Sequence, residues 1–107
     1  MDKRIAKPSV TKEILEKNGI QLKKSLGQNF LVDQNIIDKI IASADLTSDD
    51  HVIEIGPGIG SLTQRLAEEA KKVWAIELDE RFIKILEDNL SSYNNINFIQ
   101  YLCKDNS

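Results

Sequence analysis

The stretch His51-Val-Ile-Glu-Ile-Gly-Pro-Gly-Ile-Gly-Ser-Leu-Thr-Gln-Arg-Leu-Ala67 decides how this chain folds. Its first five residues form a short, mostly apolar run, the pattern of a buried parallel strand. Glycines at 56, 58 and 60, with Pro57 among them, let the backbone turn sharply and bring main-chain atoms close to a ligand. Leu62, Leu66, Ala67 and Ala70 then recur at helical spacing, and Ser61 with Gln64 three residues on reads as a capping box. Strand, glycine loop and helix in succession place the loop at the carboxyl end of a strand, where open α/β sheets bind their ligands.

Toward the C-terminus the alternation repeats. Lys71 and Lys72 suit the end of the helix dipole, and Val73-Trp-Ala-Ile-Glu77 reads as a second strand. Asp79 opens another helix with Phe82, Ile83, Leu86 and Leu90 along one side, and Ile96-Asn-Phe-Ile-Gln100 is a third strand. The order after residue 50 is βαβαβ, which implies a parallel sheet with right-handed crossovers. Doubly wound sheets have about five strands or more. The predicted fold is therefore an α/β, Rossmann-like domain truncated after its third parallel strand. That strand is expected to leave an open edge, which pairing with another copy of the chain would cover.

Toward the N-terminus, residues 1–32 read as a basic arm and loop ahead of the partial domain at 33–107. Met1 to Lys7 is expected to be disordered. Pro8-Ser9 offers a helix start, Ile14 and Leu15 its apolar positions, and Asn18-Gly19 its stop. Residues 20–32 are aperiodic. Asp33 is a predicted N-cap, followed by an apolar stripe of Ile36, Ile37, Ile40, Ile41 and Ala44.

The chain has 107 residues, 41% of them apolar and 29% charged, the balance of one small folding domain. No apolar run reaches the ~18 residues that a bilayer crossing needs. The charged N-terminus has no apolar stretch behind it, so no secretory signal is expected. One cysteine, Cys103, cannot form an internal disulfide, and with one His beside it a His/Cys metal cluster is not expected. These features predict a cytoplasmic protein. The formal net charge of −3 is unevenly spread: residues 1–28 carry seven basic and three acidic side chains, a net +4, and the remainder is net −7. A basic segment on an acidic body is either a solvated terminus or a phosphate-contacting arm.

The glycine pattern discriminates among ligands. A dinucleotide signature G-x-G-x-x-G begun at Gly56 needs glycine where Ser61 stands, and begun at Gly58 it needs glycine where Thr63 stands. No Gly-Lys-Ser/Thr is present for a P-loop. The form from Glu54 to Gly60, E-x-G-x-G-x-G, is similar to that of S-adenosylmethionine-dependent methyltransferases. That cofactor has no pyrophosphate, so its site calls for close main-chain approach and carboxylates. Glu77, at the end of the second strand, stands where a carboxylate accepts hydrogen bonds from both ribose hydroxyls; the plainer alternatives are a solvated strand-end acid or a contributor to the Asp79 cap. Glu54 is either ordered by the loop or reaches the cofactor's ammonium through water, since an acid so placed needs a partner.

The run Lys24-Ser-Leu-Gly-Gln-Asn-Phe-Leu-Val-Asp33, the loop Glu54–Gly60 and the strand Ala75-Ile-Glu-Leu-Asp79, in this order and spacing, resemble the rRNA adenine N6-dimethyltransferase family. That family includes the small-subunit rRNA dimethyltransferases and the erythromycin-resistance methylases; the Gly-Pro-Gly-Ile-Gly form and the long helix before it resemble the first branch more. The resemblance covers about residues 10–100, and Gln28-Asn-Phe-Leu31 is its most specific part. It implies that Asn29 and Leu31 contact S-adenosylmethionine from a loop folded over the site, that Gly56 lies under the methionine end, and that Glu77 holds the ribose. Lys23 and Lys24 would face rRNA phosphate on the small ribosomal subunit, positioning without base specificity. The implied reaction is two methyl transfers to N6 of each of two adjacent adenines, each turned out of its stack.

Two departures limit what is carried over. The family's acid after the third strand, which would bond the cofactor's adenine, is replaced by Leu102, and Asp105 comes three positions late. The family's Asn-Leu-Pro-Tyr or Asn-Leu-Pro-Phe motif, which positions the target amine, does not occur, so no catalytic residue is assigned and the chain by itself is expected to be inactive. The alternatives are a non-catalytic RNA-binding or assembly module on the same fold and, further off, a fragment of an NAD-dependent oxidoreductase. Trp74 and Tyr93 are expected to pack rather than stack on bases.

Overall fold

The computed structural model describes residues 4–20 and 33–101. Helices α1 (Pro8–Lys17) and α2 (Gln34–Ala44) precede strand β1 (His51–Ile55), helix α3 (Ser61–Glu69), strand β2 (Lys72–Glu77), helix α4 (Glu80–Asn89) and strand β3 (Ile96–Gln100). The strands form one parallel sheet in the order β1-β2-β3. The α/β expectation is met, and each parallel pair is joined through a helix, as an all-parallel sheet requires.

Local chemistry explains most boundaries. Pro8 starts α1, where its missing N–H is no loss. The helix closes with Gly19 N–H on the Glu16 carbonyl and Ile20 N–H on the Leu15 carbonyl, the paired bonds of a Schellman end. Asp33 and Asp79 cap α2 and α4 by accepting from the N–H groups of Asn35 and Arg81, each at 2.9 Å. The capping box does not form. Gly60, at φ 97°, is the N-cap of α3, so Ser61 is already helical and its buried hydroxyl has no partner among the described residues. Gln64 bonds elsewhere, and strand β2 begins one residue earlier than predicted, at Lys72.

In-register parallel partners share a face, so Val52, Glu54, Val73, Ala75, Glu77, Ile96 and Phe98 lie on one side of the sheet. Helices α3 and α4 pack there, over the fully buried Val73 and Ala75, and α2 packs on α3. Ile37, Ile41, Leu66, Phe82, Ile85, Leu86 and Leu90 belong to the same core. Ile36 and Ile40, predicted in the apolar stripe of α2, are exposed: only Ile37 and Ile41 of that stripe face α3 closely enough to be buried.

The opposite face carries Ile53, Ile55, Trp74, Ile76, Ile99 and Tyr101; among the described residues Ile53 is 66% and Ile55 80% exposed, while Trp74 and Ile76 are half-buried. This corrects the reading of β1 as a buried strand. The run His51–Ile55 is apolar on both faces, but β1 lies at one edge of the sheet and only Val52 and Glu54 turn toward the helices. Among the described residues β1 and β3 are the two outer strands of the sheet. The Lys72 ammonium sits 4.7 Å from the centre of the Trp74 ring on this face.

The expected disorder of residues 1–7 is also corrected, for Arg4 to Lys7. Ile5 and Ala6 are buried, and Arg4 pairs with both carboxylate oxygens of Glu68, at 2.7 and 2.6 Å. An apolar pair is enough to dock the segment once α3 and α4 present a surface for it.

One-sided coverage sets a contrast in stability. Ile55→Thr, on the open face, is expected to change unfolding free energy by less than about 0.5 kcal/mol. Val73→Ala, on the covered face, is expected to cost about 2 kcal/mol or more. Urea unfolding of both variants checks this, and equal losses would contradict the assigned faces.

Candidate functional site

The carboxyl ends of β1 and β2 carry the glycine loop and two carboxylates. Strand pairing continues one residue into the loop, with Gly56 N–H bonded to the Ile76 carbonyl at 2.9 Å. Gly60 N–H then bonds the Pro57 carbonyl at 3.0 Å, closing a tight turn. Gly56, Gly58 and Gly60 all have positive φ, at 70°, 62° and 97°.

The loop has two sides with different needs. A Cβ on Gly56 would meet nothing within 4 Å, so main chain there faces open space. A Cβ on Gly60 would lie 2.9 Å from Leu90 Cδ1 and 3.0 Å from Leu86 Cδ2, against α4. Glycine at 56 leaves room outward; glycine at 60 lets the turn seat on the core.

Glu77 ends β2 and is only 8% exposed. Its Oε1 accepts from Gly58 N–H at 3.2 Å, and its Oε2 accepts from Leu78 and Asp79 N–H at 2.9 and 3.0 Å. The side chain thus joins the glycine loop to the turn that starts α4. Three of about four acceptor positions of a carboxylate are in use. Of the two structural alternatives for Glu77, the contribution to the turn at Asp79 holds, whereas the solvated strand-end acid does not.

Glu54 stands on the same face as Glu77, its β1 position paired with Ala75, two residues before Glu77. The hydroxyl of Thr63, in the first turn of α3 and fully buried, donates to Glu54 Oε1. Burial pushes the Glu54 carboxyl up to about 7; the Thr63 hydrogen bond opposes the rise and the neighbouring Glu77 carboxylate adds to it. Two acids on adjacent strand ends, one of them reluctant to ionise, make a site that favours a cationic ligand.

Glu54, Gly56, Gly58, Gly60 and Glu77 are therefore brought together. Asn29, Leu31, Lys23 and Lys24 lie outside the described residues, as do Leu102, Cys103 and Asp105. Among the described residues no group of three or more His, Cys, Asp or Glu side chains could hold a metal, and no helix is long and apolar enough to cross a membrane. Thr63 was not singled out by the sequence reading; its position, inward on α3 one turn from the loop, follows from the helix period but its donor role needs the strand beside it.

The family model for ribosomal RNA adenine dimethylase matches residues 19–101. The chain belongs to that family. It is 58% identical over 99 residues to ribosomal RNA small subunit methyltransferase A of Bacillus pumilus and 59% identical to that of Bacillus licheniformis; in each case the match covers 92% of this chain and 34% of the relative. This family member thus spans about a third of the length of the curated relatives it matches. Among solved structures it is similar to a dimethyladenosine transferase from Plasmodium falciparum (36% identity, 70% of this chain and 28% of that one, TM-score 0.62). It is also similar to the 23S rRNA methyltransferase ErmE (42% identity, 66% and 29%, TM-score 0.63). The fold is the Rossmann-like fold of these methyltransferases.

The site generates two predictions. Gly60→Ala is expected to lower stability by about 2 kcal/mol or more, through overpacking added to strain at positive φ, whereas Gly56→Ala carries only the strain, about 1 kcal/mol. Thermal unfolding of the pair checks the order; a costlier Gly56→Ala would reverse the assignment of the loop's two sides. Glu54 supplies a pH dependence. Its folded pKa is raised from 4.5 to about 7, so the native state holds a proton that the unfolded chain releases. The stability tied to that proton is present in full below about pH 4.5 and is lost as pH rises through about 7, up to roughly 3 kcal/mol. Glu54→Gln is expected to gain on the parent chain steadily between pH 5 and 7 and to level off above. Denaturant unfolding at pH 5 and pH 8 measures this, and a pH-independent difference would contradict it.

Proposed function

We propose that this chain binds S-adenosylmethionine and forms the N-terminal, cofactor-binding part of an rRNA adenine N6-dimethyltransferase acting on two adjacent adenines of small-subunit rRNA. The observation that carries the reading is the meeting of Glu54, Glu77 and the outward side of the loop at Gly56 at one end of the sheet. The residues fit the group: S-adenosylmethionine carries positive charge at its ammonium and its sulfonium, and this end of the sheet presents two carboxylates beside uncovered main chain.

In this reading Glu77 accepts from the ribose. A ribose hydroxyl takes its remaining acceptor position, beside the Gly58 N–H that holds the loop. Glu54 faces the cofactor's cationic end, and a cation there favours its ionised form. Gly56 leaves space for the methionine portion, while Gly60 seats the turn behind it. Asn29 and Leu31 cover the cofactor, and Lys23 and Lys24 contact rRNA phosphate. When bound, the cofactor supplies an electrophilic methyl group for transfer to the adenine N6. The sequence holds no Asn-Leu-Pro-Tyr or Asn-Leu-Pro-Phe segment to position that amine, and no residue of this chain is assigned to that step.

Calorimetry with S-adenosylhomocysteine tests the proposal. Binding is expected, with Glu77→Ala weakening it about tenfold or more, since hydrogen bonds to a charged group are worth about 1.5–3 kcal/mol. NADH in place of S-adenosylhomocysteine is expected to give no heat. Binding of NADH alone would favour the oxidoreductase reading, and a salt-dependent RNA affinity with no cofactor heat at all would favour the RNA-binding module.

A further inference from the structure

The front of the glycine loop is held by Glu77 through Gly58. Its back is held by a part of the chain to which no role has yet been given. Ile5 N–H donates to Gln64 Oε1 at 3.0 Å in a buried hydrogen bond that spans 59 positions of sequence. The Ile5 carbonyl accepts from the Thr11 hydroxyl at 2.5 Å. Ile5, Ala6, Thr11 and Gln64 are all buried, with Ile5 3% exposed.

Gln64 faces two ways. Its main-chain N–H bonds the Gly60 carbonyl at 2.9 Å, and its side chain takes the Ile5 N–H. The Ile5 side chain itself reaches Gly60: its Cδ1 lies 3.6 Å from where a Gly60 Cβ would stand, beside Leu86 and Leu90. Arg4 adds a surface tie to Glu68, one turn along α3 from Gln64. Glu68 also accepts from Arg65 and from the Tyr93 hydroxyl, at 2.8 and 2.9 Å.

Three glycines at positive φ within five residues lose more conformational freedom on ordering than other residues do, and fixing them carries an entropic cost that a ligand would otherwise bear on binding. A loop fixed beforehand binds tighter. The Ile5–Gln64 bond is suited to this task because its loss would leave the buried Ile5 N–H without its acceptor, which discourages the first turn of α3 from moving.

We propose that Ile5 and Gln64 are positioning residues for the cofactor: the N-terminal segment clamps Gly60 from behind and holds the glycine loop in its binding geometry. This role rests on the cofactor reading above. It deepens that reading by adding residues that touch the loop and not the cofactor.

The test uses the full chain with Gln64→Met, which keeps the shape and removes the acceptor, and with Ile5→Ala, a milder change that keeps the N–H. Ile96→Ala, at the opposite end of the sheet from the loop, is the control for general destabilisation. Two quantities are read under conditions where every variant is folded: hydrogen exchange at the Gly58 and Gly60 amides by NMR, and the Kd for S-adenosylhomocysteine. Gln64→Met is expected to speed exchange at both glycines and to raise Kd about tenfold, as for one lost buried hydrogen bond. Ile5→Ala is expected to move both in the same direction by about threefold. Ile96→Ala is expected to lower the melting temperature and move neither. Unchanged glycine exchange and Kd in Gln64→Met and Ile5→Ala would overturn the proposal, and so would equal changes in Ile96→Ala. A parent chain that fails to bind S-adenosylhomocysteine would remove the cofactor reading itself, an outcome recognised before any variant is compared.

Discussion

The carboxylate of Glu77 accepts three main-chain N–H groups, from Gly58 in the glycine loop and from Leu78 and Asp79 at the turn into α4. Each of those amides would otherwise sit near a sheet end without a partner, and a charged acceptor satisfies them more strongly than a neutral one would. The bond to Gly58 fixes where the loop stands relative to β2. The bonds to Leu78 and Asp79 fix how the chain leaves β2, and Asp79 in turn caps α4. Because α4 supplies Leu86 and Leu90, which receive Gly60, the loop is connected to the same carboxylate along two routes. A single acid at the end of a strand thereby sets both the shape of the site and the placement of the helix beneath it.

The covered face of the sheet carries both carboxylates of the candidate site. Glu54 and Glu77 share it with Val73 and Ala75, so the two carboxylates emerge from an apolar layer and Glu54 bears the desolvation that raises its pKa. The opposite face is apolar and open along Ile53, Ile55 and Ile99. A chain that matches about a third of the length of its relatives folds here with one layer of helices on one side of three strands. The carboxyl end of the sheet, where Glu54, Glu77 and the glycine loop meet, lies wholly within residues 19–101, which match the family model.

The sequence was most legible where one local rule acted without competition. Asp33 and Asp79 were readable as caps because a carboxylate one position before a helix has an N–H within reach whatever surrounds it. Ser61 and Gln64 fit the same kind of rule and failed it, because Gly60 adopts the cap conformation first and Gln64 has a better partner in Ile5. Ile36 and Ile40 match a helical period and are nonetheless exposed, since period alone does not say how wide a stripe the neighbouring helix covers. The Ile5–Ala6 pair carried too short a signal to be separated from a solvated terminus; its burial depends on a surface made by α3 and α4, many residues later.

By itself the sequence determined the βαβαβ order, the glycine loop between β1 and α3, the acid at the end of β2 and the family those features resemble. These are set by hydrophobic period, by the backbone freedom of glycine and by residue spacing, all of which act along the chain. Only the tertiary structure decided that β1 is an edge, that Gly60 serves packing while Gly56 faces outward, that Thr63 partners Glu54, and that Ile5 reaches Gln64. Each of these depends on which surfaces meet across the fold, where a hydrogen bond or a methyl contact between residues tens of positions apart has no counterpart in local sequence.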